Sequence, residues 1–281
     1  MRLHVENLTI VAKRSPSKLL VNGLQFNVEA GRTTCVVGES GSGKSLSALA
    51  IMGLLGEELV QTSGRIVFDD GERTHDLCTL APRMMRGIRG KKIGMIFQEP
   101  MTSLNPVLTV GYQIAEGLRE HFGLRGKVLK MRVAELLERV GMATGRANSY
   151  PHELSGGQRQ RVMIAMTIAC QPQLLIADEP TTALDVTVQA QILNLLQDIK
   201  DELGMGMLFI THDFGVVADI ADQVIVMFRG RVVESGSVDD VLSRPKHPYT
   251  RALLDCVPDI EGVKPLTTMS YDWLADDLFV S

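Results

Sequence analysis

A glycine-rich turn between a predicted strand and a predicted helix is the feature that most restricts how this chain can fold. The β-branched run Thr33–Val37 predicts a short buried strand, which ends at Gly38. From Ser45 to Gly53, apolar and small residues recur at helical spacing. Residues 38–43 must therefore turn the chain from a strand into a helix, as in one unit of an α/β fold.

Strands and helices also alternate along much of the remaining chain. The first 30 residues predict strands, and residues 99–172 predict mainly helices. An amphipathic helix is predicted to end at Gly204. Further short apolar strands are predicted at 174–177, 207–210 and 223–228. This alternation indicates an α/β core with a parallel sheet, into which the helical block is inserted.

Residues 38–45, with the sequence GESGSGKS, fit the phosphate-binding pattern GxxxxGK[ST]. The glycines let backbone N–H groups turn towards a phosphate, and the following helix N-terminus adds partial positive charge. Lys44 would neutralise the β and γ oxygens of a nucleoside triphosphate, and the Ser45 hydroxyl would be a ligand of Mg²⁺. An incidental glycine turn is the alternative, which the flanking strand and helix disfavour. The predicted nucleotide-binding residues are Gly38, Glu39, Ser40, Gly41, Ser42, Gly43, Lys44, Ser45 and Leu46.

Two adjacent carboxylates, Asp178 and Glu179, follow the apolar strand at 174–177. A carboxylate at such a strand end can hold the water shell of Mg²⁺, which suits Asp178. Its neighbour Glu179 can orient or deprotonate an attacking water. Taken alone, the pair is also compatible with a solvated turn.

Residues 154–158, LSGGQ, form a second candidate phosphate cradle just before a predicted helix. Ser155 can cap that helix, and Ser155, Gly156, Gly157 and Gln158 can present N–H groups to a phosphate. One nucleotide does not need two such cradles from one chain at one place. With this signature the chain resembles the ATP-binding cassette (ABC) family from about Met1 to Leu254. In that family, the signature of one subunit closes on the ATP held by a second.

The resemblance implies the fold and further site residues. The implied fold class is α/β, with a P-loop NTPase core that has a mainly parallel sheet, an N-terminal antiparallel β subdomain and an inserted α-helical subdomain. Residues 183–185 resemble the loop that crosses the family's dimer interface. The implied cofactors are ATP and Mg²⁺, the latter held by Ser45, Gln98 and Asp178. The implied catalytic residues are Glu179, His212, which contacts the γ-phosphate, and Gln98, which contacts Mg²⁺ and the attacking water.

Three segments are similar to importers of peptides and nickel: 97–106, 178–189 and 244–254. This resemblance implies an ATP-hydrolysing subunit that powers uptake of peptides, nickel or a metal chelate. The implied partners are a second homologous ATPase subunit in a heterodimer, two transmembrane permeases and an extracytoplasmic solute-binding protein. A permease helix would dock near residues 99–106. A non-transport ABC ATPase that acts as a soluble mechanical switch is the alternative, disfavoured by the single cassette.

The resemblance implies a peripheral protein on the cytoplasmic face of the plasma membrane, and composition and charge are compatible with it. No window reaches the roughly 18 consecutive apolar residues that a membrane helix needs. The net charge of −4 argues against non-specific binding of nucleic acid. A basic cluster at 83–92 predicts a solvated face or a contact with anionic headgroups. The four cysteines lie far apart, as expected for free thiols in a reducing compartment.

The predicted domain boundary lies near residue 250. Residues 1–250 would form the ABC nucleotide-binding domain, with its helical subdomain at about 99–172, and residues 251–281 a short acidic C-terminal appendage. Residues 255–281 contain six acidic residues and one basic residue. Many family members have a cysteine-rich stretch there, whereas this tail has only Cys256, so we expect no iron–sulfur cluster.

Overall fold

A computed structural model describes residues 1–98, 103–182 and 184–256. Three predictions fall partly or wholly outside these residues: the permease-docking segment at 99–106, the interface loop at 183–185 and the acidic appendage. The described chain alternates strands and helices, as its sequence pattern predicts.

The described strands form a four-stranded sheet, which contains β1, β2, β4 and β5, and a six-stranded mixed sheet, which contains the others. Their bounds are β1 (Arg2–Ala12), β2 (Ser15–Glu29), β3 (Thr33–Val37), β4 (Leu59–Asp69), β5 (Thr74–Asp76), β6 (Ile93–Ile96), β7 (Leu174–Asp178), β8 (Gly206–Thr211), β9 (Gln223–Phe228) and β10 (Arg231–Ser237).

Helices separate most of these strands. Their bounds are α1 (Lys44–Ile51), α2 (Pro82–Ile88), α3 (Val110–Phe122), α4 (Gly126–Arg139), α5 (Gly156–Ile168), α6 (Val186–Leu203), α7 (Phe214–Ile220), α8 (Val238–Ser243) and α9 (Pro248–Asp255). Two short 3₁₀ turns, Thr144–Asn148 and Pro151–Glu153, lie between α4 and α5. Within the described residues, no helix has the length and apolar character that spanning a membrane requires.

The chain divides into two units. The first consists of residues 1–3, 29–31 and 67–208. In it, β6 and β7 pair in parallel, with Ile93 opposite Leu174 and Ile96 opposite Ala177. Both strands are buried along their whole length, which is typical of parallel strands covered on both faces. The predicted helical block is present here as α3, α4 and α5.

The second unit consists of residues 4–28, 32–66 and 209 onwards. In it, β9 pairs in parallel with β3 and antiparallel with β10. Strand β3 is buried throughout, and the N–H of Thr33 at its start donates to the Asp222 carboxylate at 2.7 Å. The turn predicted after this strand leads directly into α1, so the strand–turn–helix prediction is confirmed.

A buried carboxylate at the end of β4 organises part of the first unit. The side chain of Asp70 is only 5% exposed, and one of its oxygens accepts from the N–H groups of Glu72 and Arg73 at 2.9 and 2.7 Å. The other lies 3.2 Å from the Lys92 ammonium, so this member of the basic cluster faces a carboxylate. Burial acts to raise the pKa of Asp70, but the N–H donors and Lys92 hold it well below its usual value.

This cluster predicts a stability that depends on pH. Asp70→Asn keeps an oxygen acceptor but removes the charge that faces Lys92. Because the folded pKa is lowered, the carboxylate stabilises the fold above about pH 4, and this contribution is lost as the pH falls further. We expect the variant to lose roughly 2–3 kcal/mol of unfolding free energy at pH 7. Urea unfolding should show the difference from wild type shrinking towards pH 3.

Asp69→Asn is the matched control, because Asp69 is an exposed neighbour of Asp70 whose carboxylate accepts a turn hydrogen bond from Gly71 N–H at 2.9 Å. We expect this change to cost less than about 0.5 kcal/mol. Equal losses in the two variants would contradict a special role for Asp70.

Candidate functional site

The loop at 38–43 depends on glycine at two positions where the backbone leaves no room for a side chain. Gly38 has φ +146°, and a Cβ atom there would overlap the carbonyl oxygen of Met227. Gly43 has φ +101°, and its Cβ would lie 2.8 Å from the carbonyl oxygen of Leu20. Positive φ and close backbone approach both favour glycine, so the loop can keep this shape only with these residues.

One buried polar side chain lies within this loop, and a second lies directly after it. Lys44 is 4% exposed, and its Nζ donates to the carbonyl oxygens of Gly38 and Glu39 at 2.7 and 2.8 Å. The hydroxyl of Ser42 is buried without a hydrogen-bond partner among the described residues. Buried polar groups normally have partners, so a hydroxyl and an ammonium in a glycine-rich turn fit a ligand that carries phosphate oxygens.

The predicted carboxylate pair lies where β7 ends. Asp178 is buried and is the last residue of the strand. Glu179 is half-buried, and its Oε2 accepts from Gln98 Nε2 at 3.1 Å and from the Thr182 hydroxyl at 3.0 Å. Gln98 follows β6, the parallel neighbour of β7, so the carboxyl ends of two adjacent strands bring Gln98 and Glu179 together.

The backbone of Glu179 is strained. Its φ is +47°, which is uncommon for a residue with a side chain and costs of order 1 kcal/mol or more. The turn that follows is closed by the Thr182 N–H, which donates to the Glu179 carbonyl at 3.2 Å. Thr182 therefore holds Glu179 through both its backbone and its side chain. Sequence reasoning did not select this threonine, although its place three residues after Glu179 is typical of a turn.

The signature residues cap α5 as predicted. The Ser155 hydroxyl accepts from Gln158 N–H at 3.4 Å, and the Gln158 side-chain oxygen accepts from Ser155 N–H at 3.1 Å. This reciprocal pair is a capping box, which orders the first turn of the helix. Ser155 and Gly156 are exposed, so the helix N-terminus faces solvent in this chain.

The predicted residues belong to both units. The second unit contains residues 38–46 and His212, which is exposed and follows β8. The first unit contains Gln98, residues 155–158, Asp178 and Glu179. Asp185, from the predicted interface loop, caps α6 by accepting from Val188 N–H at 2.9 Å.

Comparison with known proteins decides the family. Residues 21–182 match the family profile described as ABC transporter, which is more than half of the chain. The chain belongs to the ABC transporter family. It is an ABC ATPase. Residues 233–271 match a second profile, described as oligopeptide/dipeptide transporter, C-terminal region.

Two relatives illustrate the similarity in sequence. The ABC ATPase is 53% identical over 254 residues to a putative peptide import ATP-binding protein of Brucella ovis, which covers 89% of this chain and 75% of the relative. It is 49% identical over 269 residues to the glutathione import ATP-binding protein GsiA of Escherichia coli O1:K1 / APEC, which covers 94% of this chain and 43% of GsiA.

Solved structures show the same fold. The dimeric ATP-binding cassette MJ0796 in a post-hydrolysis state, bound to ADP and Pi, has a TM-score of 0.74 and 28% identity, covering 84% of this chain and 98% of that one. The cbiO1 protein of Clostridium perfringens has a TM-score of 0.73 and 30% identity, covering 86% and 90%. The predicted α/β fold class is therefore confirmed.

The ABC signature also packs closely against α6, because one of its glycines has no side chain. A Cβ atom on Gly157 would lie 2.7 Å from Cγ1 of Val188, closer than real contacts allow. A Cβ on Gly156 would lie 3.8 Å from its nearest neighbour, Leu184, which is an ordinary contact. Of the two signature glycines, Gly157 is therefore the one that packing requires.

Gly157→Ala should lower the stability of the ABC ATPase by roughly 1–2 kcal/mol, because the new methyl group overpacks against Val188. Alanine otherwise favours a helix over glycine by up to about 1 kcal/mol, so Gly156→Ala, the matched control, should not destabilise. In a Val188→Ala background the clash is removed, and Gly157→Ala should then not destabilise. Thermal unfolding of the four variants measures this. An equal loss in both backgrounds would contradict the packing argument.

Proposed function

We propose that this chain hydrolyses ATP to drive the import of peptides through membrane permeases. The main support for ATP hydrolysis is the arrangement of the Glu179 carboxylate at the end of β7. This carboxylate accepts hydrogen bonds from the Gln98 amide and the Thr182 hydroxyl. A carboxylate that two hydrogen-bond donors orient is prepared to take the proton of an attacking water.

The match to the oligopeptide/dipeptide C-terminal profile supports peptides as the transported solutes. Relatives named for peptide import and for glutathione import support the same class. They favour an importer over the soluble mechanical switch. Nickel and metal chelates have no comparable support among these relatives.

The phosphates of ATP are proposed to bind residues 38–46. Lys44 neutralises phosphate oxygens while its contacts with Gly38 and Glu39 keep it in place. The buried Ser42 hydroxyl, without a partner among the described residues, donates to a phosphate oxygen. His212 contacts the γ-phosphate. Residues 155–158 face the nucleotide bound by a second ATPase subunit.

Mg²⁺ is the proposed metal, and when bound it neutralises charge on the phosphate oxygens. The donors that would hold it are the Ser45 hydroxyl, the Asp178 carboxylate and the Gln98 amide oxygen. Hydroxyl, carboxylate and amide oxygens suit this hard cation, which also keeps several waters. Since Gln98 Nε2 donates to Glu179, the amide oxygen of Gln98 is the atom that can turn to a metal.

The partners we propose are a second, homologous ATPase subunit in a heterodimer, two transmembrane permeases and an extracytoplasmic solute-binding protein. The chain would be peripheral, on the cytoplasmic face of the plasma membrane. We also propose the division into a nucleotide-binding domain at 1–250, with its helical subdomain at about 99–172, and an appendage at 251–281.

Glu179→Gln keeps an oxygen that can accept hydrogen bonds from Gln98 and Thr182. The new amide, however, cannot take a proton from water. We expect ATP hydrolysis by the assembled transporter to fall by about 10²–10⁴-fold, with ATP binding retained. Phosphate release and equilibrium ATP binding measure the two effects. Glu135→Gln, on the exposed face of α4, is the control and should leave hydrolysis unchanged. A wild-type rate in Glu179→Gln would sink the assignment of the base.

Affinity purification of the chain from native membranes tests the import function. Recovery of two permeases, a second ATPase and a solute-binding protein is the expected result, and peptides should be the ligands of that binding protein. Recovery from the soluble fraction alone, with ribosomes or DNA and no permease, would overturn the import proposal.

A further inference from the structure

A tyrosine outside the predicted site reaches the phosphate-binding loop. Tyr249 lies in α9, inside the segment that matches the oligopeptide/dipeptide C-terminal profile. It is completely buried, and its ring lies 4.4 Å, between centroids, from that of Phe228 at the end of β9. Its hydroxyl accepts a hydrogen bond from the backbone N–H of Glu39 at 3.0 Å.

The peptide group between Gly38 and Glu39 is thus held on both sides. Its N–H donates to Tyr249, and its carbonyl oxygen accepts from Lys44 Nζ at 2.7 Å. A peptide group is planar, so two hydrogen bonds on opposite sides fix the orientation of the whole plane. Lys44, the residue that would neutralise phosphate, therefore takes its position from a peptide that Tyr249 restrains.

Tyr249 is itself firmly placed. The Glu234 carboxylate on β10 accepts from the N–H groups of Lys246 and His247 at 2.7 and 3.0 Å, just before α9. His247 then caps the helix, because its Nδ1 accepts from Tyr249 N–H at 3.1 Å. Pro248 at the first helical position has no N–H that would need a partner. The segment before the helix is therefore tied to β10, and the tyrosine cannot shift without breaking these bonds.

We propose that Tyr249 is a positioning residue for ATP binding, which holds the Gly38–Glu39 peptide and, through it, Lys44. The C-terminal segment then sets the nucleotide affinity of the loop, in addition to any other task. The hydroxyl acts through Lys44 and touches no reacting atom. This inference rests on the proposed function, since it needs residues 38–46 to bind ATP.

Tyr249→Phe tests it, because the ring keeps its packing on Phe228 and only the hydroxyl is lost. The full chain is titrated with Mg²⁺ and a fluorescent N-methylanthraniloyl ATP. We expect Kd to rise about fivefold, the effect of one lost hydrogen bond. In the assembled transporter, KM for ATP should rise by a similar factor, and kcat should stay within about twofold of wild type. The reason is that the variant weakens binding of the ground state and of the transition state equally. The Glu39 amide should also exchange with deuterium faster.

Tyr112→Phe is the matched control, because Tyr112 is a half-exposed tyrosine of α3. It should leave Kd, KM and the Glu39 exchange rate unchanged. A wild-type Kd in Tyr249→Phe, an equal rise in both variants, or a loss of kcat at constant KM would each overturn the positioning role. If wild-type protein failed to bind the analogue at all, the proposed function itself would fail, and the two failures are thus distinguishable.

Discussion

The shape of the loop at residues 38–43, the proposed phosphate site, depends on backbone that is packed too closely for a side chain at two positions. Gly38 lies against the carbonyl of Met227, and Gly43 against that of Leu20. These contacts anchor the loop on β9 and β2 and set the point from which α1 begins. Lys44 then turns its ammonium back onto the loop, so that one side chain both stabilises the turn and supplies the charge that we propose for binding phosphate.

Each group of site residues is organised by its own hydrogen bonds. In one unit, Gln98 and Thr182 hold Glu179, and the Ser155–Gln158 capping box orders the signature helix. In the other, Lys44 and Tyr249 hold the loop. Groups that are already oriented need little rearrangement when charge develops, and this is where much of enzymatic rate enhancement originates.

The sequence predicted local features well and long-range contacts poorly. The strand before Gly38, the cap at Ser155 and the helix end at Gly204 all depend on neighbouring residues, and all are confirmed. Strand β4 was not predicted, since polar residues interrupt its alternation, and α7 and α8 are too short to show a helical period. The contact of Tyr249 with Glu39 joins positions 210 residues apart, so no local pattern could indicate it.

The left-handed backbone at Glu179 favours one residue type, whereas the proposed catalytic role requires another. Glycine there would relax the chain, yet it would remove the carboxylate that we propose as the general base. Selection or engineering for thermal stability alone would therefore favour a residue at this position that lacks the proposed catalytic group. Variants of this ATPase that are evolved for robustness should be screened for turnover at every round, because the residue that best suits the backbone at position 179 differs from the residue proposed for catalysis.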